Sequence, residues 1–234
     1  STRSSLGRLE LRLHHSRLRP GAALSVSEIL LRTLGIGLVA AALQLPLALW
    51  LGRWMCRREF VGRGLIQSVL VLPMFLPPVA VGLFLLLALG PGGPLGGVLS
   101  GVLYTETAAI LAAATVSFPL VLRHVQEAFE AVPERLSQVS RSLGLSRWQT
   151  FLRVELPLAR SGVAVGVLLS FARGISEYGA TAVVAGVTPG QTETLATGLM
   201  RRLNTGDDGG ALTLAWISIV LGFAAVMLSE TVLR

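Results

Sequence analysis

The sequence contains no lysine, and it contains 20 arginines. A nucleotide-binding P-loop ends in Gly-Lys-Ser or Gly-Lys-Thr, and its lysine carries an ammonium group to the phosphates. This chain therefore cannot itself be a Walker-type ATPase.

Cysteine and histidine are almost as scarce as lysine. Cys56 is the only cysteine, which excludes an internal disulfide framework and a metal site built from several thiolates. The three histidines, His14, His15 and His124, lack the i, i+4 spacing with a nearby acid that a zinc-binding helix shows. We therefore predict no metal site on this chain.

Charge is also sparse, because charged residues make up 14% of the 234 positions, whereas hydrophobic residues make up 52%. The mean hydropathy is +0.68. This composition lies well outside that of soluble domains and predicts an integral membrane protein. The net charge of +7 fits the arginine excess that membrane proteins collect in cytoplasmic loops, and we do not expect nucleic-acid binding.

Long uncharged runs predict five membrane-spanning helices, because about 20 mostly apolar residues cross the hydrocarbon core. The run between residues 64 and 105 is too long for one helix, and its Gly- and Pro-rich centre, LGPGGPLGG at residues 89–97, divides it. The predicted spans lie between Arg32 and Arg53, at about 65–89, at about 102–123, at about 161–185, and between Asp208 and Glu230. The predicted fold class is an all-α membrane protein.

The loops predict the orientation of these spans. Residues 52–64 and 123–160 are rich in arginine and residues 90–105 carry no charge, so the basic loops face the cytoplasm and the uncharged loop faces outward. Five spans then place the N-terminus outside, which conflicts with a basic, amphipathic extension at residues 1–27 that could lie along a membrane surface. A sixth helix upstream of Ser1 would remove the conflict.

The basic loop at about residues 124–160 predicts a first short amphipathic helix. Pro133 suits the first helical position, and Leu136, Val139 and Leu143 recur at helical spacing to form one apolar stripe. Gly144 follows as a helix stop, where we expect a positive φ.

A second short helix is predicted immediately after the first. Ser146 and Gln149 have the spacing of a capping box, and Pro157 either closes this helix or opens the next span. One face of the helix would carry Trp148, Phe151 and Leu152. On pattern alone, the two helices fit either a docking surface or a hairpin that rests on lipid headgroups.

The same loop resembles the cytoplasmic signature of permease subunits of bacterial ATP-binding-cassette (ABC) importers. That signature reads Glu-Ala-Ala, three residues, Gly, nine residues, Ile, one residue, Leu-Pro. Here QVS stands at residues 138–140, a glycine follows at the required spacing, and VELP ends the motif at residues 154–157. We name residues 133–157 the coupling segment. The resemblance gives an ATPase-coupling role to Gln138, Val139, Ser140, Gly144, Trp148, Leu156 and Pro157.

The resemblance extends over roughly residues 28–233 and is strongest to the permeases of molybdate importers, with sulfate and tungstate permeases similar. It is carried by LPMFLPPVAVGLFLLLALG (72–90), SFPLVLRHVQEAFEAVP (117–133), LSFARGISEYGA (169–180) and GVTPGQTETLATGLM (186–200). It implies a type I ABC importer permease fold over residues 28–234, with cytoplasmic coupling helices, in the bacterial inner membrane.

The family resemblance also implies partners and cofactors. Such permeases pair as homodimers, and a separate ATPase subunit holds ATP and Mg. A periplasmic binding protein delivers the oxyanion to the outer face. The permease alternates its opening as the ATPase closes, and it needs no cofactor or catalytic residue of its own. The choice among molybdate, tungstate and sulfate stays open.

Arg173 and Glu177 are charges placed deep in the fourth predicted span. They are predicted to lie at i and i+4 on one small and polar helix face with Gly166, Ser170 and Thr181. Two interpretations are open: Arg173 lines the oxyanion path, or the pair neutralises itself and locks helices together, and the second is favoured.

Two other classes of function also fit parts of the sequence. One is a membrane-embedded enzyme, although the clustered His, Asp or Ser groups that intramembrane hydrolysis needs are not present. The other is a membrane scaffold whose loop recruits a partner other than an ATPase. Co-purification of a separate ATPase chain would distinguish the importer from both.

Overall fold

The computed structural model describes residues 25–233, and all regular structure in that part of the chain is helical. The predicted extension at residues 1–27 lies almost wholly outside the described residues. The helices are α1 (Val26–Cys56), α2 (Arg63–Phe75), α3 (Pro78–Leu89), α4 (Gly96–Leu99), α5 (Glu106–Glu130), α6 (Glu134–Ser142), α7 (Arg147–Thr150), α8 (Leu156–Ile175), α9 (Gly179–Val184), α10 (Leu195–Thr205) and α11 (Asp208–Leu233).

The first and fifth predicted spans are confirmed as long apolar helices. α1 covers the first span and extends beyond it at both ends. It starts at a capping box in which the Ser25 hydroxyl accepts from the Glu28 amide while the Glu28 carboxylate accepts from the Ser25 amide. Pro46 lies inside α1 without ending it. α11 covers the fifth span.

The prediction of the second span as one helix over residues 65–89 is wrong. The structure has two helices, α2 and α3, which meet at a bend of 113°. Leu76 adopts ψ 146 at the bend because the ring of Pro77 excludes the helical region for the preceding residue. Pro78 then opens α3, where its missing N–H costs nothing. Counting the bent pair as one span gives the five that the sequence predicts.

The third span begins four residues later than predicted and ends seven residues later. A 3-10 turn (Ser100–Val102) and Tyr104, with φ 60, precede it, so α5 begins at Glu106. α5 then continues to Glu130, into residues that the charge pattern assigned to the loop. The Gly- and Pro-rich stretch at residues 89–97 is a break between helices, as predicted, and the one-turn helix α4 begins at its end.

The fourth span, predicted over residues 161–185 as one helix, is also wrong. The helix begins much earlier, because α7 and α8 are joined by a π-helical turn into one 29-residue helix, and it ends at Ile175. Ser176 leaves the helix with φ −88 and ψ 0. The chain then starts a separate short helix, α9, whose Ala180 amide donates to the Glu177 carboxylate at 2.9 Å.

The centre of the bundle is formed by α5, which packs along both α1 and α8. α3 packs against α9, and α11 packs against α8 and α10. Small residues let these helices approach closely, as is usual within membranes. At Gly82 of α3, for example, an added Cβ would lie 2.8 Å from the Cα of Ala180. Alanines at 108, 109, 112 and 113 line the same core.

The two ends of the bundle are distinguished by which loops meet there. At one end, which we name the Arg53 end, the Arg57 side chain donates to the Val132 carbonyl at 3.1 Å. At the other, the Arg32 end, the Arg32 guanidinium donates to the Gly190 carbonyl at 3.0 Å. The basic loops thus share one end, and the start of α5 lies at the other, where Glu106 is 4.0 Å from Arg32, as the charge pattern requires.

Candidate functional site

The coupling segment lies at the Arg53 end and turns sharply between α6 and α7. Gly144 has φ +90, which confirms the predicted positive φ, and its amide donates to the Arg141 carbonyl at 3.0 Å. The next amide, of Leu145, donates to the Ser140 carbonyl at 3.2 Å. These bonds satisfy carbonyls at the end of α6, as a glycine-terminated helix normally does.

The second helix of the segment begins as predicted but does not end as predicted. Ser146 and Gln149 form the capping box in both directions. The helix then neither closes nor restarts at Pro157, because a π-helical turn (Phe151–Glu155) carries it directly into α8. The amide of Leu156 donates to the Phe151 carbonyl, five residues back. The second helix is therefore the first part of a membrane-spanning helix.

The apolar stripe of α6 faces away from the rest of the chain. Leu136, Val139 and Leu143 are 42%, 47% and 79% exposed, whereas Ser137 and Ser140 on the adjoining face are buried. A helix that packed only on its own chain would do the reverse. Trp148, in the same coupling segment, is a further exposed apolar side chain, at 66%. Gln138 is exposed as well.

Phe151 does not share the exposed face that the sequence predicts for it with Trp148 and Leu152. Phe151 is buried, and its ring lies 6.0 Å from that of Phe129 and 5.3 Å from that of Trp148. Leu152 stays 43% exposed. Leu156 packs against the same core beside Phe151, and Pro157 is exposed. The aromatic contacts attach the exposed Trp148 to the core of the bundle.

A buried ion pair holds the coupling segment to α1. Glu155 is 2% exposed and accepts a hydrogen bond from the Nε of Arg53 and one of 2.8 Å from the Ser137 hydroxyl. The Arg53 guanidinium also lies over the Phe151 ring, 5.3 Å from its centroid. One carboxylate thus connects α1, α6 and the start of α8. Sequence reasoning missed this role of Glu155, since nothing local identifies its partner.

Arg173 and Glu177 form the predicted contact, but not on one helix. The Arg173 guanidinium donates to the Glu177 carboxylate at 2.8 Å, with side-chain exposures of 37% and 1%. The predicted common face is wrong, because α8 ends between the two residues. Gly166 and Ser170 belong to α8, whereas Thr181 is buried in α9.

Ser170 belongs to a buried polar relay that the sequence analysis missed. Its hydroxyl donates to the Gln44 Oε1 at 2.9 Å, and the Gln44 Nε2 donates to the Ser117 hydroxyl at 2.9 Å. Ser117 donates in turn to the Ala113 carbonyl at 2.7 Å. The relay joins α8, α1 and α5 within apolar spans, where an unpaired polar group is costly.

The segment of residues 186–200 closes the Arg32 end of the bundle. The Thr33 hydroxyl accepts from the Leu195 amide at 2.9 Å, and Thr192 accepts from the Thr188 amide at 3.0 Å. Glu193, fully buried, accepts from Arg201 at 2.9 Å. These contacts fix the Pro-Gly-x-Thr core of the segment beside the start of α1.

Several helices are long enough to cross a membrane. The buried polar relay joins three of them, and the coupling segment lies at one end of the bundle. These features define an all-helical integral membrane protein. Residues 44–233 match the family model described as the binding-protein-dependent transport system inner membrane component. The chain belongs to this family, the permease subunits of ABC importers.

Several proteins that are similar to this chain are named as permease proteins of transport systems. It is 37% identical over 213 residues to the molybdenum transport system permease protein ModB of Escherichia coli, covering 88% of this chain and 93% of that protein. The corresponding protein of Haemophilus influenzae is 33% identical over 206 residues, covering 85% and 89%. The sulfate transport system permease protein CysW of Synechococcus elongatus is 33% identical over 175 residues, covering 73% and 61%.

Solved structures confirm the predicted fold class. A chain of a bacterial alginate ABC transporter, in complex with an alginate-bound periplasmic protein, matches with a TM-score of 0.70 at 18% identity, covering 94% of this chain and 82% of that one. A chain of the MetNI methionine ABC transporter, in an inward-facing conformation, matches with a TM-score of 0.61 at 16% identity, covering 87% and 94%. At this identity the likeness concerns the fold alone.

Proposed function

We propose that this chain is the translocation subunit of a molybdate importer, driven by ATP hydrolysis on a separate subunit. The assignment of molybdate as the substrate rests on the 37% identity to the Escherichia coli molybdenum permease. The alignment covers 93% of that protein's length. The 33% identity to a sulfate permease makes sulfate the second candidate, although that alignment covers only 61% of the relative.

We infer that the ATPase subunit, which would hold ATP and Mg, docks on the exposed face of the coupling segment. The support is the outward apolar stripe of Leu136, Val139 and Leu143 together with Trp148. Exposed aromatic and aliphatic side chains of this kind often dominate the energetics of protein interfaces. Gln138, Ser140 and Gly144 would position that face, and Leu156 and Pro157 would join it to the span.

The continuity of α7 and α8 gives this docking a mechanical consequence. Because one 29-residue helix runs from Arg147 to Ile175, displacement of its first turn moves the membrane-spanning part with it. Glu155 ties the same turn to α1 and α6. A push on the coupling segment would therefore move packed helices as a rigid unit, which is how bundles switch between two openings.

For Arg173 and Glu177 we propose the helix-locking role. The Glu177 carboxylate has two donors, the Arg173 guanidinium and the Ala180 amide, so it fixes the turn between α8 and α9. A paired guanidinium is a weaker trap for a passing anion than a free one. Ser170 serves the polar relay, and Thr181 packs in the α9 core.

The remaining partners follow from the family. A second copy of the chain would complete the path, and a periplasmic binding protein would deliver the oxyanion to the Arg32 end. The exposed apolar face of α11 is available to the second copy or to lipid, since Trp216, Ile219 and Phe223 are all more than half exposed.

Reconstitution tests this function. The full chain would be co-expressed with its candidate ATPase and binding protein, placed in proteoliposomes, and assayed for uptake of radiolabelled molybdate, tungstate and sulfate. We expect ATP-dependent uptake with molybdate preferred. Preferred uptake of sulfate would identify sulfate as the substrate in place of molybdate. Catalytic activity of the chain without its partners would favour an enzyme. Stable association with a partner that is not an ATPase would favour a scaffold.

A further inference from the structure

A cleft of about 920 Å³ lies beside the coupling segment, between the second half of α1 and the helices α6, α7 and α8. Its walls differ along their length. Leu45 and Leu49 line one part, arginines line the part near the end of α1, and Trp50 lies between them along the helix. The outward apolar stripe of α6 does not line the cleft, whereas Trp148 lines the cleft and also belongs to the proposed docking face.

The basic part of the cleft has a surplus of positive charge. Five arginines and two glutamates line the cleft, and Arg53 is already paired with Glu155. Within the described part of the chain, the other four form no ion pair; they are Arg57, Arg58, Arg141 and Arg147. The Nε of Arg57 is buried without a hydrogen-bond partner among the same residues. An anion is the complementary occupant.

The depth of the cleft indicates that the occupant also has an apolar part. Leu45 precedes Arg57 by twelve residues of helix, which corresponds to about 18 Å along the axis at 1.5 Å per residue. Leu45 and Leu49 lie in the uncharged stretch of α1 that crosses the hydrocarbon core. An occupant that fills the cleft therefore needs an anionic head and an apolar body.

We propose that the cleft binds an anionic phospholipid. The phosphate lies among Arg57, Arg58, Arg141 and Arg147, and an acyl chain follows Leu45 and Leu49. Trp50, which is 65% exposed, sits between the two parts, where amphipathic rings are favoured at a membrane interface. Basic pockets between membrane helices on the cytoplasmic side are typical sites for such headgroups.

The charge and depth of the cleft disfavour the other occupants. A water-soluble ATPase subunit would not reach Leu45, because that residue lies at hydrocarbon depth. A second copy of the chain would bring its own arginine-rich loops to a basic opening, since residues 123–160 contain six arginines against four glutamates. Like charges at close range oppose such a contact.

Lipid titration of the full chain tests the proposal without any ATPase, so its failure would be distinguishable from failure of the transport function. The chain would be delipidated in detergent and titrated with phosphatidylglycerol or phosphatidylcholine of the same acyl chains, and binding would be followed by native mass spectrometry. We expect tighter binding of phosphatidylglycerol. The double variant R57Q/R141Q should weaken it roughly 25-fold, about fivefold per charge removed.

Arg135→Gln is the matched control, because Arg135 is an exposed arginine on α6 that does not line the cleft. It should leave the affinity for phosphatidylglycerol unchanged. Equal binding of both lipids, or equal weakening by Arg135→Gln, would overturn the proposal. Full competition by glycerol phosphate would assign the cleft to free phosphate instead.

Fluorescence quenching gives a second readout that depends on position. A variant with Trp50 as its only tryptophan, W54F/W148F/W216F, should be quenched more by brominated phosphatidylglycerol than by brominated phosphatidylcholine. With Trp216 alone, on the exposed face of α11, both lipids should quench equally. Equal quenching of Trp50 by the two lipids would contradict a selective site.

Discussion

Arg53, near the end of α1, is ion-paired with Glu155, 102 residues later in the chain and 2% exposed. The pair forms where the first membrane-spanning helix meets the coupling segment. Because Glu155 also accepts from Ser137, a single carboxylate joins three helices at this end of the bundle. Its loss would loosen the segment from the span that it is proposed to move.

Glu155→Ala should be strongly destabilising, by about 3 kcal/mol, because it leaves the Arg53 charge in a partly buried position without its partner. Ser137→Ala removes only one neutral donor and should cost about 1 kcal/mol. Unfolding of the purified chain in detergent, with increasing denaturant, would measure both. Equal and small effects of the two variants would show that the pair contributes little.

Gly144→Val tests the turn between α6 and α7. A Cβ at this position would meet no atom within 4 Å, so crowding is not the obstacle. The obstacle is φ +90, which a β-branched residue adopts only with strain. We expect Gly144→Val to insert normally and to lose uptake, while Gly144→Asn, which tolerates positive φ, keeps most of it. Equal uptake in the two variants would argue against a strained turn.

Arg173→Ala and Glu177→Ala should each lower the yield of folded protein, and the double change should restore part of it, because each single change leaves an unpaired charge. Glu177→Ala should be the worse of the two, since it also removes the acceptor for the Ala180 amide. Size-exclusion chromatography of solubilised membranes would measure the yields. Additive losses would contradict a coupled pair, and restored folding without uptake would add a role in the path.

Ser170→Ala should destabilise the bundle by about 0.5–1.5 kcal/mol, because the Gln44 Oε1 loses its donor within an apolar span. Ser218→Ala is a suitable comparison, since among residues 25–233 that hydroxyl bonds only the Leu214 carbonyl of its own helix. Thermal unfolding in detergent would compare the two. A larger loss in Ser218→Ala would indicate that the relay is not a stabilising contact.

The features predicted well from the sequence are those determined by neighbouring residues. The capping box at Ser146 and the positive φ at Gly144 follow from local chemistry and spacing. The long uncharged runs predicted the number of spans, counting the bent pair as one, and the positions of the first and fifth, because lipid demands about 20 apolar residues. The resemblance to ABC importer permeases supplied the family, which the composition alone could not.

The features that were missed depend on tertiary structure or on a competing local signal. The bend at Leu76 has a local signal in the pair Pro77 and Pro78, but the sequence prediction used the uncharged run at residues 65–89 and did not use that pair. The contact of Glu155 with Arg53 spans 102 residues, and no spacing rule connects them. The burial of Ser137 in place of the apolar stripe of α6 likewise depends on how that helix lies on the bundle.

The most direct test of the coupling role is the amount of ATPase subunit that co-purifies with Trp148→Ala. Trp148 is 66% exposed on the proposed docking face, and Trp216→Ala is the matched control because Trp216 is 65% exposed on α11. Both variants should reach the membrane in normal amounts. We expect Trp148→Ala to lose the ATPase subunit and substrate uptake while Trp216→Ala keeps the ATPase subunit. Full ATPase association and uptake in Trp148→Ala would contradict the coupling role.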